Sequence, residues 1–422
     1  MAIGDKIQNA GDVSIEDVTI ITAKGFAQTI TPQVVSIEIY EDIFSPFITG
    51  NLVLRDSQEL NNLLPMIGEE VVRISVGTPS MDTSEMYSKE FMVYKLSDKF
   101  KLKDREMVYQ LHFISKEAII DLNRKLSMGF EGKISDIVKT LYTKHLEIDG
   151  KVKKLNIEET SNKTKFIANY WSPVKCLQFL SEQAKNKNES PSYVFFENKY
   201  GFNYLSLETL YTGTPIKQRF IWDNYSNPTR VTGGSDKSID QDYQRILEFV
   251  SQPEWNYIDR LKSGLYGSQI IYYDIMTHQY VHVGYSPDFK KSKHLNEFPL
   301  WANPAANSRA VLSHEHQYYN VFDGYGDVSN TGMCQERRSI LAQAEGYKIS
   351  INVLGRCDYH AGQRMYLEVP SMTQLAPDNP DYLDKLTSGN YLLSAICHKI
   401  TQKRHECSME LIKDSYMRDI SK

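Results

Sequence analysis

The chain has 422 residues, 41% of them hydrophobic and 24% charged, so it is long enough for two to four packed domains and is not a disordered chain. The formal net charge of −5 gives no overall basic signature of the kind that nucleic-acid-binding proteins carry. Five cysteines are widely spaced without a CxxC motif, which is typical of free thiols in a reducing compartment. A cross-strand disulfide of Cys357 with Cys397 or Cys407 is a minor alternative.

The N-terminal segment, residues 1–17, is polar and small and predicts a flexible arm. It has no apolar core of a secretory signal, and the chain has no run of about 18 apolar residues. We therefore expect no membrane-spanning segment and a soluble protein that is made in the cytoplasm.

Residues 18–115 predict a first β-rich domain. Short β-branched or alternating segments recur, and turns or loops separate them. The predicted strands are 18–22, 33–40, 51–56, 70–76, 91–99 and 107–115, with a short helix or turn at 58–66. Six strands at this spacing favour a small antiparallel barrel or sandwich.

Residues 116–238 predict an α/β domain. Three segments have apolar residues at helical spacing, and two strands with a hairpin turn follow them. The predicted helices are 115–126, 133–144 and 172–184, and the strands are 192–197 and 203–207. The first helix is expected to bury Ala118, Ile119 and Leu122, and Ser172 is expected to cap the third.

Residues 239–262 and 335–418 predict a second barrel, interrupted by an insertion at 263–334. Its elements are a strand or short helix at 243–250, a helix at 333–345 and strands at 347–354, 363–369, 390–400 and 405–413; the insertion has a hairpin at 269–274 and 280–283. The predicted fold class is therefore mixed β and α/β, with two small antiparallel β-barrel domains, an α/β domain between them and an insertion in the second barrel.

Alternation within the strand at 363–369 predicts which side chains face the core. Side chains at every second position of a strand share a face, so Met365 and Leu367 are expected to be buried. Arg364 and Glu368 are expected on the other face, at a subunit boundary or a lumen.

Two patterns invite a metal interpretation. His314-Glu315-His316 would place both rings on one face of a strand, but no third ligand is evident and the motif is not HExxH. Asp378, Asp381 and Asp384 are three residues apart, whereas a calcium loop uses every second position. Both segments are interpreted as polar loops, and no metal-binding residue is predicted.

Basic and catalytic patterns are equally weak. The basic groups 99–105 and 151–154 predict solvated hairpins, with contact to phosphate or an acidic partner as the alternative. A sugar platform of tryptophans would need paired carboxylates in a cleft. The residues for such a site are Trp222, Trp255, Trp301, Glu248 and Glu254. Phosphate-loop, dinucleotide and serine-hydrolase motifs are absent from the sequence, so we predict no catalytic or cofactor-binding residues and no enzyme.

Four segments, in their order along the chain, carry a resemblance. They are IEIYEDIFSPFITGNLVLRDS (37–57), the helical segments 115–126 and 134–141, RLKSGLYGSQIIYYDIMTHQY (260–280) and the helix with two strands at 333–369. This order resembles the baseplate central hub proteins of contractile-tailed phages and the hub part of type VI secretion spike proteins. The resemblance implies a homotrimer in which each subunit gives two tube barrels, so that three chains make a ring with pseudo-sixfold symmetry.

The resemblance also implies partners and a location. The ring would join a hexameric tail tube, or a tube-initiator protein, to a trimeric central spike on a separate polypeptide. Baseplate wedge proteins would contact it, and DNA would only pass through its channel. The protein would lie in the virion, at the tail baseplate, after assembly in the host cytoplasm. A tail-associated cell-wall hydrolase and a host-glycan-binding β-protein are the alternatives.

Five residues are candidates for the interface. Tyr40, Phe44 and Phe47 flank the polar loop after the second predicted strand, where they could plug a barrel end or contact another subunit or the tube. Arg364 and Glu368 complete the set because of the strand face on which they are predicted to lie.

Overall fold

The computed structural model describes residues 7–58, 60, 66–82, 85–103, 106–148, 150, 152–213, 215–222, 239–252, 256–274, 278–289, 293–301, 309–314, 330–373, 379 and 381–419. Most of the regular structure in these ranges is antiparallel β-sheet. Within the same ranges, no helix combines the length and the apolar composition needed to cross a bilayer.

The first β block is formed by the strands of residues 14–115. Its strands are β1 (Ser14–Ile21), β2 (Ala27–Thr29), β3 (Val34–Asp42), β4 (Thr49–Asp56), β5 (Val71–Gly77), β6 (Tyr87–Lys103) and β7 (Glu106–Ser115). All six predicted strands are present, whereas most of the helix or turn predicted at 58–66 lies outside the described residues. β1 begins inside the segment predicted as a flexible arm, and Gly11 donates its N–H to the Tyr243 hydroxyl at 3.1 Å.

The α/β block follows directly. Its elements are α1 (Lys116–Asn123), β8 (Leu126–Lys133), α2 (Ile134–His145), β9 (Leu155–Ile157), β10 (Lys163–Trp171), α3 (Pro173–Gln183), β11 (Tyr193–Asn198), β12 (Gly201–Ser206) and α4 (Leu207–Thr212). The three predicted helices and both predicted strands are confirmed, and the Ser172 hydroxyl caps α3 by accepting from the Lys175 N–H at 3.3 Å. β8 and β10 pair with each other and were not predicted.

The face predicted for α1 is wrong. Leu122 is 68% exposed, whereas Glu117 and Asp121 are buried with Ala118. Asp121 accepts the N–H of Val174 at 2.6 Å, at the start of α3. Polar contacts with neighbouring elements therefore orient this short helix, and its apolar periodicity does not.

The second β block comprises β13 (Pro215–Ile221), α5 (Ile239–Gln244), β14 (Ile246–Gln252), β19 (Tyr347–Leu354), β20 (Arg364–Glu368), β21 (Gly389–Thr401), β22 (His405–Lys413) and β23 (Ser415–Tyr416). Between β14 and β19 lie α6 (Tyr257–Ser263), β15 (Ser268–Asp274), β16 (Gln279–Tyr285), β17 (Phe298–Pro299), β18 (Ala310–His314) and α7 (Asn330–Ala344). The predicted strands and the helix before β19 are confirmed. β13, inside the segment predicted as the α/β domain, pairs parallel with β20.

The two β blocks share one 13-stranded sheet. Its strand order is β14-β19-β22-β21-β3-β4-β7-β6-β5-β1-β2, and β20 and β13 continue from β21 as a branch. The blocks meet where β3 pairs antiparallel with β21, from Asp42 opposite Ala395 to Ser36 opposite Thr401. Among the described residues these pairings do not close into a barrel, so the predicted barrel closure is not observed there.

Each block nevertheless has its own apolar core. The core of the first block is formed by inward residues of β1 and β3–β7, with Ile400 of β21 added from the second block. The core of the second block includes Met365 and Leu367 of β20, both fully buried, while Arg364 and Glu368 are partly exposed. The predicted facing of this strand is confirmed.

Truncating the buried side chain of β20 should destabilise the second block. Leu367→Ala should lower the free energy of unfolding by about 2–5 kcal/mol, because it removes buried methyl groups and leaves a cavity. Glu368→Gln on the same strand should change it by less than about 1 kcal/mol, since its partner Arg219 is 70% exposed. Denaturant unfolding monitored by circular dichroism measures both free energies. Equal losses of unfolding free energy in the two variants would contradict the inward position of Leu367.

Gly50 in β4 should not tolerate a side chain. A Cβ there would lie 2.3 Å from the ring of Phe113 and 2.3 Å from the carbonyl oxygen of Glu38. Gly50→Ala should therefore lower the unfolding free energy by about 1–3 kcal/mol through overpacking. Gly129→Ala in β8 is the matched control, because a Cβ there meets nothing within 4 Å and the variant should melt like the parent.

Candidate functional site at the junction of the two blocks

A carboxyl group occupies a core position of β3, next to the pairing with β21. Glu41 is 1% exposed and lies in the inward row that Ile37 and Ile39 begin. One carboxylate oxygen accepts the Ala361 N–H at 3.1 Å, and the other accepts the Tyr87 hydroxyl at 3.3 Å. Glu41 thus links β3 to the loop before β20 and to β6.

The buried position of Glu41 controls its charge. Burial raises the pKa of Glu41 to about 7, against the opposing effect of the nearby Lys89 ammonium. At pH 6 this side chain is therefore largely protonated in the folded protein.

A second buried carboxylate, Glu197 of β11, stays charged. Its side chain is fully buried and forms ion pairs with Lys89 Nζ at 3.0 Å and with Lys153 Nζ at 2.8 Å. The Ser115 hydroxyl and the Ile48 N–H also donate to it. Burial alone would raise the pKa of Glu197, but the two ammonium groups outweigh it and hold the pKa at about 2.

Lys153 extends this network into the α/β block. Its ammonium lies 2.7 Å from Glu117 of α1 as well as 2.8 Å from Glu197. The charges alternate from Lys89 through Glu197 and Lys153 to Glu117, and they connect the first β block with the α/β block. The interpretation of Lys153 as part of a solvated hairpin is therefore wrong, because its charge is used inside the protein.

The three aromatic interface candidates differ in their exposure. Tyr40 is 37% and Phe44 41% exposed, and the Tyr40 hydroxyl donates to Glu38 at 2.5 Å. Phe47 packs edge-on against Phe202, with ring centroids 6.2 Å apart, and borders the core of the α/β block. Two of the three aromatic residues are thus available at the surface, and one packs inside its own chain.

Arg364 and Glu368 contact the segments that flank β20. Arg364 Nη1 donates to the Tyr211 carbonyl at 3.1 Å, and Glu368 forms an ion pair with Arg219 at 3.2 Å. Arg219 is 70% exposed, so this pair reaches the surface of the second block.

The hairpin that carries the basic group 99–105 is exposed where the structure describes it, as predicted. The outer parts of β6 and β7, residues 94–103 and 106–110, are called the β6–β7 arm. Phe100 and Leu102 on this arm are 52% and 50% exposed, and the neighbouring Lys99 and Lys101 are exposed too. The segment KFKLK at 99–103 alternates basic and apolar residues, and its exposed apolar side chains Phe100 and Leu102 were not predicted as part of a surface.

The two described tryptophans of the candidate sugar platform, Trp222 and Trp301, lie in different clusters. Trp222 stacks on Phe249 at 5.4 Å beside the core of the second block, whereas Trp301 is buried in a separate cluster under Arg260. Glu248 forms a hydrogen bond with Asn352 at 2.5 Å. Trp255 and Glu254 lie outside the described residues.

The acidic loop uses its carboxylates locally. Asp384 accepts the N–H groups of Leu386 and Thr387, and Asp381 lies 3.4 Å from the Lys385 ammonium. Asp378 lies outside the described residues, as do Glu315, His316 and the side chain of His314.

The cysteines form no disulfide bond among the described residues. All five are free thiols in the structure. The alternative of a disulfide from Cys357 to Cys397 or Cys407 is therefore wrong for this structure.

The fold resembles solved tail proteins. A tail protein from Neisseria meningitidis MC58 aligns with a TM-score of 0.56 and 11% identity, over 94% of this chain and 96% of that one. A 43 kDa tail protein of prophage MuSo2 from Shewanella oneidensis aligns with a TM-score of 0.55 and 8% identity, over 95% of this chain and 99% of that one. No protein-family model matches the chain, and no curated protein matches it by sequence. The chain therefore has a phage tail-protein fold, and the predicted resemblance is confirmed at the level of fold.

The buried carboxyl of Glu41 predicts a pH-dependent stability. Between pH 4.5 and 7 the folded protein keeps a proton that the unfolded chain loses, so this group stabilises the fold less as pH rises. The unfolding free energy of the wild type minus that of Glu41→Gln should fall by roughly 3 kcal/mol from pH 4.5 to pH 8.

Denaturant titrations at both pH values measure this difference. Glu69→Gln, at an exposed position of the same block, should follow the pH profile of the wild type. A difference between wild type and Glu41→Gln that is constant with pH would show that Glu41 does not titrate in this range.

Proposed function

We propose that this chain is a structural subunit of a contractile-tail baseplate hub. Three copies form a ring with pseudo-sixfold symmetry that joins a hexameric tail tube to a trimeric central spike and leaves a channel for DNA. The observation that carries the proposal is the pairing of β3 with β21, which places two β blocks side by side in one subunit.

The symmetry argument follows from this pairing. One subunit supplies two β blocks that are already joined edge to edge, so three subunits supply six blocks around an axis. Such a ring has six similar positions for a hexameric partner and keeps true threefold symmetry for a trimeric one. The Lys89–Glu197–Lys153 network fixes the α/β block beneath the junction, which favours a rigid adaptor.

The ends of the sheet support assembly as well. β14 and β2 occupy the two terminal positions of the main strand order. A terminal strand has backbone N–H and C=O groups that can pair with another chain, and ring closure would cover them. Val250 of β14 is 51% exposed, in agreement with an edge that a neighbouring subunit covers.

Partner contacts are assigned to the exposed residues. We propose Tyr40, Phe44, Arg364 and Glu368 as contacts within the ring, and the β6–β7 arm as a contact with the tail tube or its initiator protein. The spike, on a separate polypeptide, and baseplate wedge proteins are the other partners. The protein would assemble in the host cytoplasm and lie in the virion baseplate.

A structural role without catalysis is part of the proposal. It is supported by the similarity to tail proteins and by the separate placement of Trp222 and Trp301. Purified protein should not degrade peptidoglycan. Turnover that Glu248→Gln abolishes would favour the cell-wall hydrolase instead, and a monomer that binds glycans would favour the glycan-binding alternative.

The oligomeric state tests the hub proposal. Native mass spectrometry of the 48.6 kDa chain, alone and mixed with its tail-tube and spike proteins, should show three copies in the assembled complex. A particle reconstruction gives the same count in the virion. Six copies of the chain per ring, or a single copy inside the particle, would contradict the proposal.

The arm contact has its own test. The double variant Phe100→Ser/Leu102→Ser should unfold like the parent, since both side chains are half exposed, but should no longer bind the tail-tube protein in co-sedimentation. Leu122→Ser on α1 removes an apolar side chain that is 68% exposed, from another block, and should leave binding unchanged. Normal binding by the double variant would remove the arm from the interface.

A further inference from the structure

Three potential metal ligands converge inside the sheet, near the turn that joins β21 to β22. They are His398, His405 and Cys407, and each is buried with at most 1% of its surface exposed. His398 Nδ1 lies 3.0 Å from His405 Nε2, and Cys407 Sγ lies 3.3 Å and 3.5 Å from these two nitrogens. The cluster lies outside the ionic network and outside the proposed partner surfaces.

The strand register brings the three side chains together. His398 is directly opposite Cys407 in the antiparallel pair, so the two side chains share a face. His405 and Cys407 are two residues apart on β22 and therefore point to that same face. The cluster consequently depends on the backbone of one hairpin and not on flexible loops.

Gly355 makes room for the His405 ring. A Cβ at this position would lie 2.3 Å from His405 Cδ2 and 2.4 Å from Cγ. The Gly355 N–H also donates to the His405 carbonyl at 2.8 Å. The segment after β19 thus contacts β22 through its backbone at Gly355, and the missing side chain leaves space for the imidazole of His405.

The spacing of the three atoms fits a single tetrahedral ion. Zinc binds imidazole nitrogen at about 2.0–2.1 Å and thiolate sulfur at about 2.3 Å, which puts two nitrogens about 3.3 Å apart and a nitrogen about 3.5 Å from the sulfur. The observed separations of 3.0, 3.3 and 3.5 Å are close to these values. We propose that His398 Nδ1, His405 Nε2 and Cys407 Sγ bind a zinc ion.

The chemistry of the donors agrees with this assignment. Two imidazoles and one thiolate are ligands that zinc prefers, whereas calcium and magnesium prefer oxygen. Binding of Zn²⁺ to two neutral imidazoles and a thiolate releases the thiol proton to solvent and leaves a net charge of +1 at the site.

Without an ion, the cluster would be a hydrogen-bonded histidine pair beside a neutral thiol. A divalent cation supplies the positive charge that allows the thiolate to form in this apolar position.

The proposed ion would act on the junction of the two blocks. His398 lies opposite Ile39 of β3 in the pairing that joins them. Zinc would cross-link β21 to β22 next to the β3–β21 pairing and so stabilise the shared sheet. The inference rests on these residues alone and does not require the hub assignment.

Metal content and cobalt spectroscopy test the proposal on the full chain. Protein stripped with a chelator and then supplied with ZnCl₂ should retain one zinc per chain after desalting, and its melting temperature should rise with zinc concentration. With CoCl₂ in place of zinc, tetrahedral cobalt bands and a thiolate-to-cobalt charge-transfer band should appear. The cobalt spectrum reports a thiolate ligand in the wild-type protein, so it does not depend on whether a variant folds.

Matched cysteine variants locate the ligand. Cys407→Ser should abolish the charge-transfer band and reduce the bound zinc to well under one per chain. Cys397→Ser, one residue from His398 on β21, should retain both, because Cys397 is paired with Ser408 and points to the opposite face. Cys357→Ser should also retain the band, because Cys357 is not among the three residues whose ligand atoms converge.

Three results would overturn the assignment. They are a melting temperature that does not respond to zinc, cobalt-loaded wild type without a charge-transfer band, and a Cys407→Ser protein that binds zinc as well as the parent. Under any of them, the cluster would be a metal-free histidine pair that packs the interior of the sheet.

Discussion

The pairing of β3 with β21 is the interaction on which the rest of the structure depends. It joins residues 36–42 to residues 395–401, across most of the chain, and converts two blocks with separate cores into one sheet. Backbone hydrogen bonds in such a ladder are directional, so they fix the relative position of the blocks as well as their contact. Glu41 and His398 both lie on these two strands, and their surroundings are therefore set by the same pairing.

Buried charge specifies the junction more than it stabilises it. A buried ion pair recovers little more than the cost of removing its charges from water, but losing one partner leaves a charge uncompensated. The charge of Glu197 is compensated by Lys89 and Lys153. Glu41 avoids an uncompensated charge in a different way, because its raised pKa favours the protonated, neutral form. We infer that this network selects one arrangement of the α/β block under the sheet, as the proposed hub role would require.

Sequence reasoning succeeded where local pattern and tertiary contact agree. The strands of the first block, α2, α3 and β19–β22 have strong periodicity and clear turns, and all were predicted within a few residues. It failed where exposed residues form a strand or where polar groups are buried. The β8–β10 ribbon was missed because β8 contains Gly129 and Gly132 and because Ile167 in β10 is 75% exposed, so neither strand shows the usual alternation.

The sequence by itself determined the type of most elements, the inward face of β20 and the order of segments that resembles tail hub proteins, because periodicity and turn residues are local properties of the chain. Only the tertiary structure decided that the two blocks share one sheet, that Lys153 and Glu117 are partners, and that His398, His405 and Cys407 meet. The physical reason is that each of these contacts depends on strand register or on neighbouring elements. A register shift of one residue between β21 and β22, for example, would turn His398 and Cys407 to opposite faces of the sheet.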